Sequence, residues 1–213
     1  MKKLTVLFFS FCITVAAFAQ SEKYVAAMKK NLAAVDSSFR SPAALLTLAN
    51  SFERIATTEK TEWLPFYYAA FCQVNAGFME QDKTKVDAIA DKANELIAQA
   101  DALSPNNSEI SCIKSLIASC YLMVNPMQRW TEYGQESLSN MEDAQKLDPS
   151  NPRPYYLRGQ SLKYTPEQFG GGCKMAKPHL QKAIEKYDAF KPASELHPTW
   201  GRMQAEFMLA ECK

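Results

Sequence analysis

Three consecutive glycines, Gly170, Gly171 and Gly172, lead through Cys173 and Lys174 into an apolar-periodic segment. Backbone amides at such a start can hold an anion. A phosphate loop, however, needs Gly-x4-Gly-Lys-Ser/Thr after a strand, and neither that spacing nor a strand pattern is present. The glycines therefore read as a tight elbow between helices, with Phe169 as a plug packing the elbow onto its neighbours. Beyond Cys12, the cysteines are Cys72, Cys112, Cys120, Cys173 and Cys212. Cys112 and Cys120 fall on one expected helix, about 12 Å apart, too far to bond each other. Cys173 opens one helix and Cys212 closes the next, so antiparallel packing brings them together and a Cys173–Cys212 disulfide is expected. Cys72, Cys112 and Cys120 read as buried thiols on apolar faces. No Cys-x2-Cys pair exists, so no metal site is expected. Gly159-Gln160-Ser161 and the segment Gly134 to Ser137 lack the Gly-x-Ser-x-Gly elbow of a serine nucleophile. His179 and His197 are the only histidines, and both read as structural or surface groups. Asp82, Asp87 and Asp91 alternate with Lys83, Lys85 and Lys92, as on a solvated helix face. Neither catalysis nor a cofactor is expected from these residues.

The elements that carry them are helical. Only seven glycines occur in 213 residues, fewer than the turns of a β-sandwich or a nucleotide-binding α/β protein need. Apolar residues recur at helical spacing, with breaks at proline, asparagine and glycine clusters, and helices are expected over 22–39, 43–57, 62–77, 83–103, 109–123, 130–147, 153–164, 173–190 and 199–212. Met1-Lys2-Lys3, an apolar run from Leu4 to Phe18 and the small-x-small sequence Ala17-Phe18-Ala19 predict a cleavable signal peptide over 1–19, cut between Ala19 and Gln20. The product is expected in the periplasm or outside the cell, with no membrane anchor left. Lys and Arg number 24 against 23 Asp and Glu, so no strong field attracts nucleic acid.

Internal self-similarity orders the helices. Ala93, Ile97, Ala100 and Pro105 share a spacing with Ser137, Met141, Ala144 and Pro149, and Ala176, Leu180 and Ala183 repeat its first part. Leu103-Ser104-Pro105-Asn106-Asn107 and Leu147-Asp148-Pro149-Ser150-Asn151 read alike, and Ser115 aligns with Gly159. This pattern resembles the tetratricopeptide repeat over 62–188, with Tyr155 where that family has an aromatic residue. The resemblance implies an all-α, tetratricopeptide-like superhelix of antiparallel helix pairs, about nine helices after the signal peptide. The copies lie about ten residues further apart than the roughly 34-residue unit, which places an insertion at 124–133. There Arg129 and Trp130 read as an anchor for the elbow, with a recognition edge as the alternative. Thr165-Pro166-Glu167-Gln168-Phe169-Gly170-Gly171-Gly172 and Leu196-His197-Pro198-Thr199-Trp200-Gly201 are also similar to exported tetratricopeptide-type proteins of Bacteroidetes.

In such arrays the first helices of successive units line a concave surface. The register of Gly159 puts Arg153, Tyr156, Gln160, Lys163 and Tyr164 on it, with Glu109, Cys112, Leu116, Ser119 and Cys120 from the preceding unit, and Tyr68, Cys72 and Asn75 from the first. Tyr156 and Gln160 stand where a carboxylate clamp would have basic or amide groups, which disfavours capture of peptide C-termini. Organisation is expected as a helical cap over 20–61 and a repeat region over 62–213. The function this implies is a non-catalytic scaffold holding a protein or peptide on its concave face. The alternatives are a ligand-binding accessory protein for envelope transport, which the Phe-Gly-Gly elbow resembles and an enclosed apolar pocket would favour, and an enzyme using carboxylates alone.

Overall fold

The computed structural model describes residues 22–212; the expected signal peptide and its cleavage point lie outside them. The chain forms α1 (Glu22–Leu32), α2 (Val35–Ser38), α3 (Pro42–Thr58), α4 (Trp63–Met79), α5 (Lys83–Leu103), α6 (Ser108–Leu122), α7 (Pro126–Arg129), a π-helical turn (Trp130–Gly134), α8 (Gln135–Leu147), α9 (Arg153–Tyr164), a 3₁₀ turn (Glu167–Phe169), α10 (Cys173–Ala189) and α11 (Arg202–Glu211). Among the described residues there is no strand. Helix pairs α4/α5, α6/α8 and α9/α10 follow one another, with α3 against α4 and α11 against α10 and α9, in the tetratricopeptide-like superhelix expected. Contacts α4–α6, α6–α9 and α9–α11 mark an inner row of helices. The outer row is α3, α5, α8 and α10.

Sequence explains the two rows. α4 and α6 are apolar on nearly every face, and a helix of that kind is stable only when surrounded; α4 is buried from Leu64 to Val74. The outer helices are amphipathic and bury the repeated small-large-small residues. Ala93, Ile97 and Ala100 are buried on α5, Ser137, Met141 and Ala144 on α8, and Ala176, Leu180 and Ala183 on α10. Gly159 is needed at the α9–α10 crossing, because a Cβ there would sit 2.7 Å from the Leu180 side chain. Helix starts are fixed by side chains that accept from the first turn: Ser41 from Ala44, Asp82 from Thr84, Asn107 from Glu109 and Asn125 from Gln128.

Three expectations change. The helix over 22–39 is broken after Leu32, where the hydroxyls of Ser37 and Ser38 donate to the Ala34 carbonyl at 3.0 and 2.8 Å and offer the backbone another partner. This tilts Phe39 onto Phe71, with ring centroids 6.3 Å apart. The last helix starts at Arg202 rather than 199, because Gly201 takes a left-handed φ of +105°. Finally, Phe169 does not plug the elbow. The elbow closes on backbone bonds, Gly171 N to Pro166 O at 3.2 Å and Gly172 N to Leu162 O at 2.9 Å, and Phe169 is left 63% exposed.

The insertion at 124–133 is α7 plus the π-helical turn. Arg129 makes a forked pair with Asp87 at 2.6 and 2.8 Å and donates to the Tyr121 carbonyl at 3.0 Å. Cys173 and Cys212 are joined by a disulfide, with Cα atoms 5.1 Å apart, which ties the start of α10 to the end of α11. No described helix is long and apolar enough to cross a membrane.

Candidate functional site

The inner row encloses a cleft of about 1550 Å³. α4 contributes Tyr68 and Phe71, α6 Leu116, α9 Tyr156 and Leu157, and α11 Met208; α8 adds Met141 from behind. All of these are buried. The mouth carries large apolar side chains left open to solvent: Phe39, Met127, Trp130, Tyr164, Phe169 and Met203. Aromatic rings and methionines therefore cover the wall from floor to rim. Methionine is unbranched and polarisable, so its side chain adapts to the outline of a ligand.

One wall is not helical. Residues 190–201 run as a strap between α10 and α11, and its Glu195, His197, Thr199, Trp200 and Gly201 face the cleft. Having no ladder of its own, the strap is pinned by side chains of the scaffold. Tyr68 donates to Leu196 O at 2.9 Å and Tyr187 to Trp200 O at 3.0 Å. Arg153 donates to Pro198 O. The Trp200 indole donates to the Tyr67 hydroxyl at 2.8 Å, and its ring stacks on Phe71 at 5.2 Å with Tyr156 edge-on at 6.3 Å. Trp200 is thus held as a rigid part of the wall.

Beneath the strap lies a buried ion pair. Arg153 donates to Glu109 at 2.8 Å, and Glu109 also accepts from Asn151 at 2.9 Å and Tyr67 at 3.2 Å. Burial raises the Glu109 pKa above the usual carboxylate range, and these partners pull it back. The Arg153 guanidinium lies over Phe190 at 4.9 Å and Trp200 at 5.2 Å. Burial likewise pushes the Cys72 and Cys120 thiols up to about 12 and raises Cys112 well above the ordinary thiol value, which leaves all three as inert thiols.

Of the residues expected on the inward face, Tyr68, Asn75, Leu116, Ser119, Tyr156, Gln160 and Tyr164 line the cleft, whereas Cys72, Glu109, Cys112 and Cys120 are not in its lining. Their polar ends are largely committed: Tyr68 to the strap, Asn75 to the Phe71 carbonyl at 2.7 Å, and Gln160 to the Tyr156 hydroxyl at 3.1 Å. Arg153 is not on the surface. It is fully buried, because the pair with Glu109 and the strap carbonyl draws it behind Trp200. Lys163 is absent from the lining and pairs with Glu211. The repeat register missed Phe39, Met127, Trp130, Trp200, Met203 and Met208, which stand on segments outside the matched helices. For Phe39, Met127, Trp130, Trp200 and Met203 the only sequence signal is a large apolar side chain within a few residues of proline or glycine, and Met208 carries none beyond its place in the last helix.

The cleft presents mostly neutral rings and thioethers with a few hydroxyls and satisfied amides, and four ionised side chains, Asp36, Glu195, Arg202 and Glu206. No group of three or more His, Cys, Asp or Glu side chains suited to a metal ion occurs among the described residues. What the arrangement can do is enclose a large, apolar, flat molecule.

No family model matches the chain, and no curated protein matches it. Among solved structures the chain is similar to the HusA haemophore from Porphyromonas gingivalis: 38% identity, 91% of this chain and 94% of that chain covered, and a TM-score of 0.80. The expectation of a scaffold for a protein or peptide is overturned by this likeness to a haemophore, and the alternative of a ligand-binding accessory protein fits better. The helix-pair architecture stands, but no family model places the chain among the tetratricopeptide repeats.

Proposed function

The chain belongs to the family of the HusA haemophore, and from that premise we propose that it is a non-catalytic carrier of haem or a closely related tetrapyrrole, held in the cleft of the inner helix row. The observation that carries the proposal is the cleft itself. Ligand sites commonly measure roughly 300–1,000 Å³ and are mostly apolar with few polar groups. At about 1550 Å³ this one has room for a whole macrocycle, and its wall is aromatic and thioether from Phe71 to Met208. Trp200, fixed between Phe71 and the Arg153 guanidinium, supplies a preformed edge that costs little to order on binding.

The N-terminal pattern of Lys2 and Lys3 followed by an apolar run supports delivery of this carrier across the inner membrane, with the Cys173–Cys212 bond suited to an oxidising compartment.

Titration of the purified, disulfide-bonded protein with haemin tests the reading. Saturable growth of a Soret band, with matching quenching of tryptophan fluorescence, is the expected result. A Leu116→Asp, Leu157→Asp variant that keeps its helical circular dichroism is expected to lose the response. An unchanged haemin spectrum with the native protein refutes the proposal.

A further inference from the structure

The charges around the cleft are arranged in a way that a binder of acidic ligands would not need. The ionised groups of the lining are Asp36, Glu195, Glu206 and a lone cation, Arg202. Arg202 is already spent: its guanidinium holds Asp188 at 2.6 Å and Glu206 at 2.9 Å. Three cations outside the lining are committed as well: Lys29 holds Glu195 at 2.7 Å, Lys163 pairs with Glu211, and Arg153 is sealed behind Trp200 on Glu109 and Pro198 O. His197 is held in the neutral form, its pKa lowered by burial and by Arg153. A carboxylate carried into this cleft would lose its hydration and find no free cation among the described lining residues.

Building on the haem reading above, we propose that the cleft grips the macrocycle through its apolar face and edge alone and leaves the acidic substituents in solvent at the mouth. Its preferred cargo is accordingly the least carboxylated member of the tetrapyrrole class. Entry is edge-first, with the hydrocarbon side toward Leu116, Met141 and Met208, and the acidic side among the exposed Met127, Tyr164 and Phe169. Discrimination comes from the cost of burying charge, with no contact that reads a carboxylate.

The experiment compares porphyrins bearing two, four and eight carboxylates, and the dimethyl ester of the first, by fluorescence quenching. Each is measured at about 0.01 and 1 M salt, between which the screening length shrinks from roughly 30 to 3 Å. The expected ranking is ester at least equal to dicarboxylate, then the tetra- and octacarboxylates in steps of at least about tenfold, because each step adds two or more carboxylates and burying one unpaired charge already costs more than that. High salt is expected to leave dicarboxylate binding unchanged or to tighten it. Asp36→Asn is expected to tighten it about twofold at low salt, as a charge near 10 Å in water would. Affinity that falls tenfold with salt, or an ester bound tenfold more weakly than its acid, overturns this inference while leaving the haem reading in place. Failure of every porphyrin to bind at either salt concentration overturns both.

Discussion

Arg153 shows how a side chain with a surface-binding chemistry becomes structural. Its guanidinium stands at the meeting of α6, α9 and the strap, fully buried, with Glu109 as its counter-charge. Removing one member of such a pair leaves a desolvated charge, which costs about 3–5 kcal/mol. Arg153→Met is therefore expected to lower the urea midpoint by that equivalent, and adding Glu109→Gln to return part of the loss, so that the two changes are strongly non-additive. The histidines give a second, pH-dependent effect. His197 and His179 have pKa values below the ordinary 6.5, through burial first and then repulsion by Arg153 and Arg158. The unfolded chain takes up these protons first, so their contribution is whole above about pH 6.5 and is lost as pH falls below it. A His179→Gln, His197→Gln variant should show a flatter melting temperature between about pH 7 and 5 than the native protein. The burial of Arg153 was not legible in the sequence, because Glu109, Pro198 and Trp200 come together only in three dimensions.

At the scale of elements, legibility follows the range of the interactions. The helices over 83–103 and 153–164 are found at the expected bounds, since their apolar periodicity is local and their starts are marked by the Asp82 cap and by proline in the first turn. The small-large-small spacing likewise revealed which faces cross, and Gly159 against Leu180 is its tightest case. The break after Leu32 was hidden, because back-bonding serines compete with the helix; the gap between 190 and 199 was expected, but its place in the cleft wall was not, because that depends on Tyr67, Tyr68 and Arg153 far along the chain. The C-terminal hairpin adds a covalent element. Closing a loop of separation 39 restricts the unfolded chain by about 4 kcal/mol in the chain-entropy account. A Cys173→Ser, Cys212→Ser variant is expected to unfold with a free energy about 2–4 kcal/mol smaller, read from denaturant curves with and without reductant.

The whole molecule is organised around the cleft, whose wall runs from Leu32 and Phe39 near one end of the described chain to Met208 near the other. No contiguous fragment holds the site, which is why the repeat register recovered Tyr68, Asn75, Leu116, Ser119, Tyr156, Gln160 and Tyr164 but not the wall supplied by α2, the insertion and α11. A ligand bridging these segments stabilises all of them together. At about 100 times its dissociation constant, haemin is expected to add about 2.7 kcal/mol to the unfolding free energy. Hydrogen-exchange protection should rise both in residues 35–39 and in 196–208. The strap and the disulfide together have one more consequence. The strap is the longest non-helical run linking two cleft-forming helices, so it is where an endoprotease would first find extended backbone. A cut there severs the peptide chain between α10 and α11, yet Cys212 remains bonded to Cys173. The clipped molecule should therefore migrate as one species without reductant and as two with it, and the shorter piece, α11 with Met203 and Met208, stays tethered at its post.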